Sequence, residues 1–391
     1  MKNKQYNKPI YNNKPIGSLE SLSSMLGISK SQLDNIINHV SDSYKSFIKE
    51  TGKNKKSREL FEPKKTLKQI QKKLNKEIFE GITYPNYLHG GIKNKDYITN
   101  AKVHSGAKSI ISLDIENFYP SIRKNDVLNI FKNLMKFPQD VSESLTKLVT
   151  LNGVVPQGSC CSSYIANLVF FNSEYHLVTK VKNKRFEYSR LLDDITISSK
   201  TEFTNEEKTF VINNVRAMAN RYRLSLNENK TKIENSSDLK SDFEVTGLWA
   251  KHSVPKLKKC HRRYIRYIVF ICEKQALFDR TSMDYHALWN KASGKVAQLK
   301  RLNHSESNML RDRLSLVLPE YDDDKIQKII KIADNLLVNG HKLNSIDLKD
   351  KINHLFYEFG IVSRTKKSLA YRYRKKIRAN FSSITDKVTI S

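Results

Sequence analysis

The chain has 391 residues, enough for two or three sub-domains around sizeable cores, so it is no small module dependent on disulfides or metal staples. Lys and Arg total 69 against 40 Asp and Glu, a net +29 that creates an extended positive potential and makes a polyanion, nucleic acid first, the expected partner. Hydrophobic residues at 39% with only 13 Gly and 9 Pro exclude collagen-like, low-complexity and wholly disordered classes.

Along the chain, Leu19, Leu22 and Leu26 share a helical face that Gly27 can stop, and Leu33, Ile36 and Ile37 restart it. The pair reads either as a helix-turn-helix or as ordinary packing helices. A dense basic stretch from Lys53 to Lys76 surrounds the extended run KSRELFEP, and Leu67, Ile70 and Leu74 then form a helical stripe. SIISLDI (109–115) predicts a strand with Asp114 near its end, followed by a turn at FYPSI and helices over 124–150. PQGS (156–159) predicts a turn, then one helix running to about Lys180. FEYSR and ITISS flank LLDD (191–194), so a β-hairpin with two aspartates near its tip is expected. Thr204 and Glu207 suit a capping box, and FEVTGLWA (243–250) reads as strand.

Beyond about residue 251 the chain becomes helical and cation-rich. PKLKKCHRRYIRY predicts a phosphate-gripping helix through Lys258, Lys259, Arg262 and Arg263, with Tyr264 or Tyr267 available to stack. Asp322 to Asp324 suit a helix N-terminus, and the last helix, Tyr371 to Arg378, is again basic. The four cysteines form no CxxC pair, which fits a reducing cytoplasm. The longest apolar run, Ile268 to Cys272, is far short of the roughly 18 residues that span a bilayer, so no membrane partner is expected.

Phosphodiester synthesis uses two divalent ions roughly 3.5–4 Å apart, held by carboxylates. Asp114, Asp193 and Asp194 could supply them if their strands are neighbours in one sheet, and hard oxygen ligands select Mg²⁺, with Mn²⁺ as the alternative. An Asp-Asp pair in isolation is an ordinary solvated turn. The order of elements around it gives it meaning.

Seven blocks in that order resemble the reverse transcriptases of bacterial retrons. LDIENFYPSI is similar to the first catalytic block, with Asp114 as metal ligand and Ile115 beside it in the metal set. VPQGSCCSSYIANL is similar to the template- and nucleotide-positioning block with Gln157, Gly158 and Asn167, and YSRLLDDITIS to the two-aspartate hairpin. LNENKTKI places Lys230 by the triphosphate, KSRELFEP does the same for Arg58, and VTGLW resembles the primer-grip region. NAKVH (100–104) fits the NAxxH signature of retron enzymes, implying RNA or primer contact through Asn100 and His104, although their i,i+4 spacing on a helix turn also suits a satisfied structural histidine, and Val245-Thr246-Gly247 fits their VTG signature. Tyr119, five residues after Asp114, would exclude a ribose 2′-hydroxyl or simply pack beside Phe118.

The resemblance implies an α+β right-hand polymerase: an N-terminal helical extension over 1–50, fingers and palm with an antiparallel sheet on helices over 51–250, a helical thumb over 251–315 and a basic helical extension over 316–391. It implies an RNA-directed DNA polymerase that copies a structured noncoding RNA, with an RNA–DNA duplex, dNTP and an effector protein as partners, in anti-phage defence. Two departures stand out. Leu191-Leu192 replaces the usual Tyr-Ala before the aspartates, removing a hydroxyl near the primer end, and Ser163 replaces a proline. The first also admits DNA synthesis on a very short template or none, and a silent RNA-binding scaffold is the rival from another class.

Overall fold

The computed structural model describes residues 7–51, 56–238, 241–343 and 345–382. Residues 53–55 of the basic stretch and the ends of the N- and C-terminal extensions, 1–6 and 383–391, lie outside them. The chain divides into two units, Met1–Lys256 and Leu257–Ser391.

The first unit is built on a four-stranded antiparallel sheet. Two earlier strands, β1 (Tyr44–Thr51) and β2 (Lys56–Pro63), form a separate hairpin. The sheet itself comprises β3 (Ser109–Asp114), β4 (Glu187–Leu191), β5 (Asp194–Ser199) and β6 (Lys232–Asn235), in the spatial order β4-β5-β3-β6. The alternation of Ile and Ser favours extended backbone, and the inner strand β3 is buried on both faces, with Ile110 and Ile111 fully covered. The loop before residue 90 covers the β4 edge through the bonds Arg190 N–H to Tyr87 O (2.8 Å) and His89 N–H to Arg190 O (2.9 Å).

Helices Leu19–Leu26 and Lys30–Asn38 are separate, as their caps require. Ser18 and Ser29 accept from the first-turn N–H groups, and Gly27 at φ 71° closes the first helix in the left-handed region. Leu22, Leu26 and Leu33 enter the same core as Leu67, Leu74 and Leu145, which is the behaviour of a packing pair. Thr204 and Glu207 form the expected capping box of Asn205–Asn220.

The helix expected to run to Lys180 is broken. Ser162–Leu168 ends, Val169–Ser173 turns, and Glu174–Asn183 resumes. The Arg190 guanidinium takes the carbonyls of Ala166 (3.1 Å) and Asn167 (3.0 Å), which are acceptors that a continuous helix would need for itself. The extended FEVTGLWA is a miniature hairpin, Glu244–Val245 with Leu248–Trp249, turning on Thr246 and Gly247.

The second unit is helical. Lys259–Ala276, Met283–Arg301 and Ser307–Ser315 bury Ile268, Val269, Val296 and Leu314. Asp323–Asn339, Ser345–Val362 and Lys367–Asn380 enclose another cluster that includes Ile329, Ile352, Phe359 and Ile377. Asp322 caps its helix by accepting the Lys325 N–H at 2.7 Å, the role its position suggested. Among the described residues no helix is long and apolar enough to cross a membrane.

Candidate active site

Asp114 closes β3 and stands opposite Asp194, the first residue of β5, while Leu191 at the end of β4 pairs with Asp194 from the other side. The hairpin turn is therefore only Leu192 and Asp193. The Ile115 N–H binds the Asp193 carbonyl (3.1 Å) and the Asn227 N–H binds the Asp114 carbonyl (2.8 Å), so main-chain bonds lock the strand end to the turn. These contacts bring residues some eighty positions apart into one site.

Beside them lies a cavity of about 710 Å³ whose lining includes Arg58, Asp114, Tyr119, Gln157, Asp193 and Lys230. Arg58 reaches it from β2, which is fastened to the floor by the Phe61 N–H on the Gln157 carbonyl (2.8 Å). That approach requires Gly158: at φ 111° it has no Cβ, which would stand 3.1 Å from the Phe61 carbonyl oxygen. Tyr119 both lines the cavity and packs on the core, its ring centroid 6.0 Å from that of Phe118. Burial, then the negative charge of Asp193, pushes its phenol up to about 12.

The acids repel one another. Burial, and then the neighbouring charge of Asp114, raises the Asp193 carboxyl. Asp194 keeps solvent contact, yet the surrounding protein and the charges of Asp193 and Asp114 hold its carboxyl up to about 6. Lys230 donates to Asp114 Oδ1 at 2.7 Å, a cation already seated where negative charge accumulates. Asp114 shares the main cavity with Asp193 and a smaller one, about 370 Å³, with Asp194. Among the described residues no three acidic, histidine or cysteine side chains already surround one point. What the site offers is two carboxylate pairs meeting on Asp114, an all-oxygen donor set with a charge deficit that suits hard divalent cations.

Residues 48–269 match the family described as reverse transcriptase (RNA-dependent DNA polymerase). The chain is 57% identical over 373 residues to the retron Se72 reverse transcriptase of Salmonella heidelberg, covering 95% of this chain and 98% of that one. The chain belongs to the retron reverse transcriptases. It is 31% identical to the retron Ec48 reverse transcriptase of Escherichia coli, over 81% of this chain and 79% of that one, and 27% identical to the Ec86 enzyme over 51% and 61%. It is an RNA-directed DNA polymerase with the α+β right-hand fold of that family.

Within this retron reverse transcriptase, the expectation that Asn100 and His104 touch RNA or primer is corrected by burial. Asn100 is fully buried and His104 is 1% exposed. The His104 ring bridges the sheet, its Nδ1 2.7 Å from Ser198 Oγ and its Nε2 2.6 Å from Ser189 Oγ. Burial first, then the positive charges of His89 and Lys200, depresses the imidazole to about 3, so it is neutral at working pH. The two signatures meet each other instead: Thr246 Oγ1 donates to the Tyr97 carbonyl (3.0 Å) at the start of the helix Tyr97–Val103 that carries Asn100.

Lys258, Lys259, Arg262 and Arg263 lie in the second unit at the start of Lys259–Ala276. Lys259 and Arg263 are exposed, whereas Arg262 is half-buried, 3.4 Å from His304 Nε2. Sequence reasoning did not foresee the pair Glu174 and Arg190. Its one signal is a glutamate on the apolar side of a helix whose neighbours Leu177, Val178 and Val181 are core residues.

Proposed function

We propose that this retron reverse transcriptase copies part of a bound, structured noncoding RNA into DNA by two-metal nucleotidyl transfer, within an anti-phage defence system. The observation that carries the reading is Asp114 paired across the sheet with Asp194 and sharing a cavity with Asp193, Arg58 and Lys230. When bound, two Mg²⁺ ions, or Mn²⁺, supply the positive charge that ionises the primer 3′-hydroxyl and neutralises the departing pyrophosphate. Asp114, Asp193 and Asp194 would hold them, and Ile115, whose side chain is buried, can add only its main-chain carbonyl.

The chain's own groups do the rest. Arg58 and Lys230 neutralise the triphosphate, and Lys230 has to leave Asp114 to do so. The Tyr119 ring, which lines the cavity, would exclude a 2′-hydroxyl, and Gln157, whose carbonyl accepts the Phe61 N–H, would align the base pair. In this reading residues 51–250 are fingers and palm, 251–315 the thumb and 316–391 a basic extension, with Lys258, Lys259, Arg262 and Arg263 gripping the RNA–DNA duplex. The remaining partners are dNTP and an effector protein, in a cytoplasm where the four cysteines stay free.

Leu191 and Leu192, lacking a hydroxyl beside the aspartates, favour one other reading: synthesis on a very short template or none. Incubating the purified protein and its co-purified RNA with dNTP, then sequencing the DNA, separates the two. A product complementary to a continuous stretch of that RNA is expected, and homopolymer or repeat DNA would overturn the templated reading.

A further inference from the structure

The turn that carries the two aspartates is held from beneath by a buried charge pair to which the proposed chemistry gives no part. Arg190, one residue before the end of β4, is 0% exposed. Its Nε and Nη2 donate to Glu174 Oε1 (2.6 Å) and Oε2 (2.8 Å), and the Tyr188 hydroxyl donates to the same carboxylate (2.8 Å). Its remaining N–H groups reach three carbonyls: Ala166 (3.1 Å), Asn167 (3.0 Å) and Leu192 (3.0 Å). All five guanidinium donors are thus used, with the plane lying over the Phe170 ring at 5.1 Å.

Such a pair is a poor device for stability alone, because desolvating two charges cancels most of their attraction and apolar residues of similar volume do as well or better. What apolar residues cannot do is grip three carbonyls on two elements. The Leu192 carbonyl matters most, since Leu192 sits at φ 60°, where leucine is strained, and Asp193 and Asp194 follow it. Asn167 Nδ2 in turn donates to the Gly90 carbonyl, and Gly90 presses on Leu192 so closely that a Cβ there would stand 2.5 Å from Leu192 Cγ.

We infer that Arg190, oriented by Glu174, is a positioning residue for DNA synthesis: it fixes the Leu192 carbonyl and so the direction in which Asp193 and Asp194 leave the turn. This rests on the reading of those aspartates as metal ligands. A misplacement of about 1 Å in such a constellation costs about 100-fold in rate.

The test uses the full chain with its co-purified RNA. Arg190→Lys keeps a cation beside Glu174 but cannot reach three carbonyls. It is expected to lower kcat for dNTP incorporation about 10- to 100-fold, leave the dNTP KM within about twofold, and raise the Mg²⁺ concentration giving half-maximal rate. A merely structural arginine would lower Tm and leave kcat per folded molecule unchanged. Should Arg190→Lys not fold, the paired swap Arg190→Met with Glu174→Leu decides, because it removes both buried charges together; the same kcat loss is expected. A kcat within twofold of wild type in the folded variant overturns the inference. Asp193→Asn run alongside separates the two claims: if it incorporates dNTP normally the metal-site reading fails, whereas an inactive Asp193→Asn beside fully active Arg190 variants defeats this inference alone.

Discussion

Two hairpins of the first unit turn on two residues each, and they are specified in opposite ways. At Thr246-Gly247 both residues have positive φ, 49° and 78°, the geometry of the tight turn that matches strand twist, and glycine fills one of the positions. At Leu192-Asp193 the positive φ falls on leucine, with no glycine in the turn. Its shape comes from outside, from the close approach of Gly90 and the grip of the Arg190 guanidinium. The turn inside the signature tripeptide has glycine at one of its two left-handed positions, whereas the turn that carries the aspartates has none and is imposed by tertiary contacts. A turn built in this way is rigid only while its supports are in place.

The sharpest way to break that contrast is Gly90→Ala. The added methyl meets Leu192 Cγ at 2.5 Å and its main-chain nitrogen at 3.0 Å, so the turn must move. Incorporation is expected to fall at least about tenfold, and Leu192→Ala in the same chain should restore much of it. Steady-state incorporation of the single and double variants checks this, and a fully active Gly90→Ala would mean the turn is not held from that side.

A smaller effect concerns Asp194. Its carboxyl is raised to about 6 in the fold, above the ordinary value of 3.8, so the folded state binds the proton more tightly than the unfolded chain. Its contribution to stability is therefore present at low pH and is lost as pH rises from about 4 through about 6. In metal-free protein Asp194→Asn should stabilise the fold above pH 6, by less than about 1 kcal/mol after solvent screening, and raise Tm accordingly, with the gain vanishing toward pH 4. Melting curves at both pH values test it, and a destabilised variant at pH 7.5 would contradict the charge crowding. Adding Mg²⁺ should stabilise the wild type more than the variant.

The smallest effect belongs to the local turn. Thr246→Gly relieves a left-handed threonine, about 1–2 kcal/mol, and loses the bond to the Tyr97 carbonyl, about 1 kcal/mol. Tm should therefore change little. A large loss would show that this turn too depends on its surroundings.

The three acids were legible in the sequence because each sits in a contiguous block with its own turn and strand signals. The strand order that brings them together was a condition in the sequence and is supplied by the sheet itself. Less legible were the features made by distant partners. Asn100 and His104 read as a helix turn open to either RNA contact or a structural histidine, and the serines that decide for the second are 85 and 94 residues away from His104. Arg190 counts in the sequence as one of 69 cations, and the partners that let it be buried, Glu174 and the carbonyls of Ala166 and Asn167, come from the helices Ser162–Leu168 and Glu174–Asn183. In the second unit the basic residues were readable as charge, but the half-burial of Arg262 was not, and its contact His304 lies 42 residues on, in the loop between Met283–Arg301 and Ser307–Ser315.

The most direct test of the central claim is dNTP incorporation by protein carrying Asp193→Ala and Asp194→Ala, measured together with the RNA that co-purifies with it. The account predicts incorporation at background with RNA retention equal to wild type, whereas incorporation at the wild-type rate would place the chemistry elsewhere in the molecule.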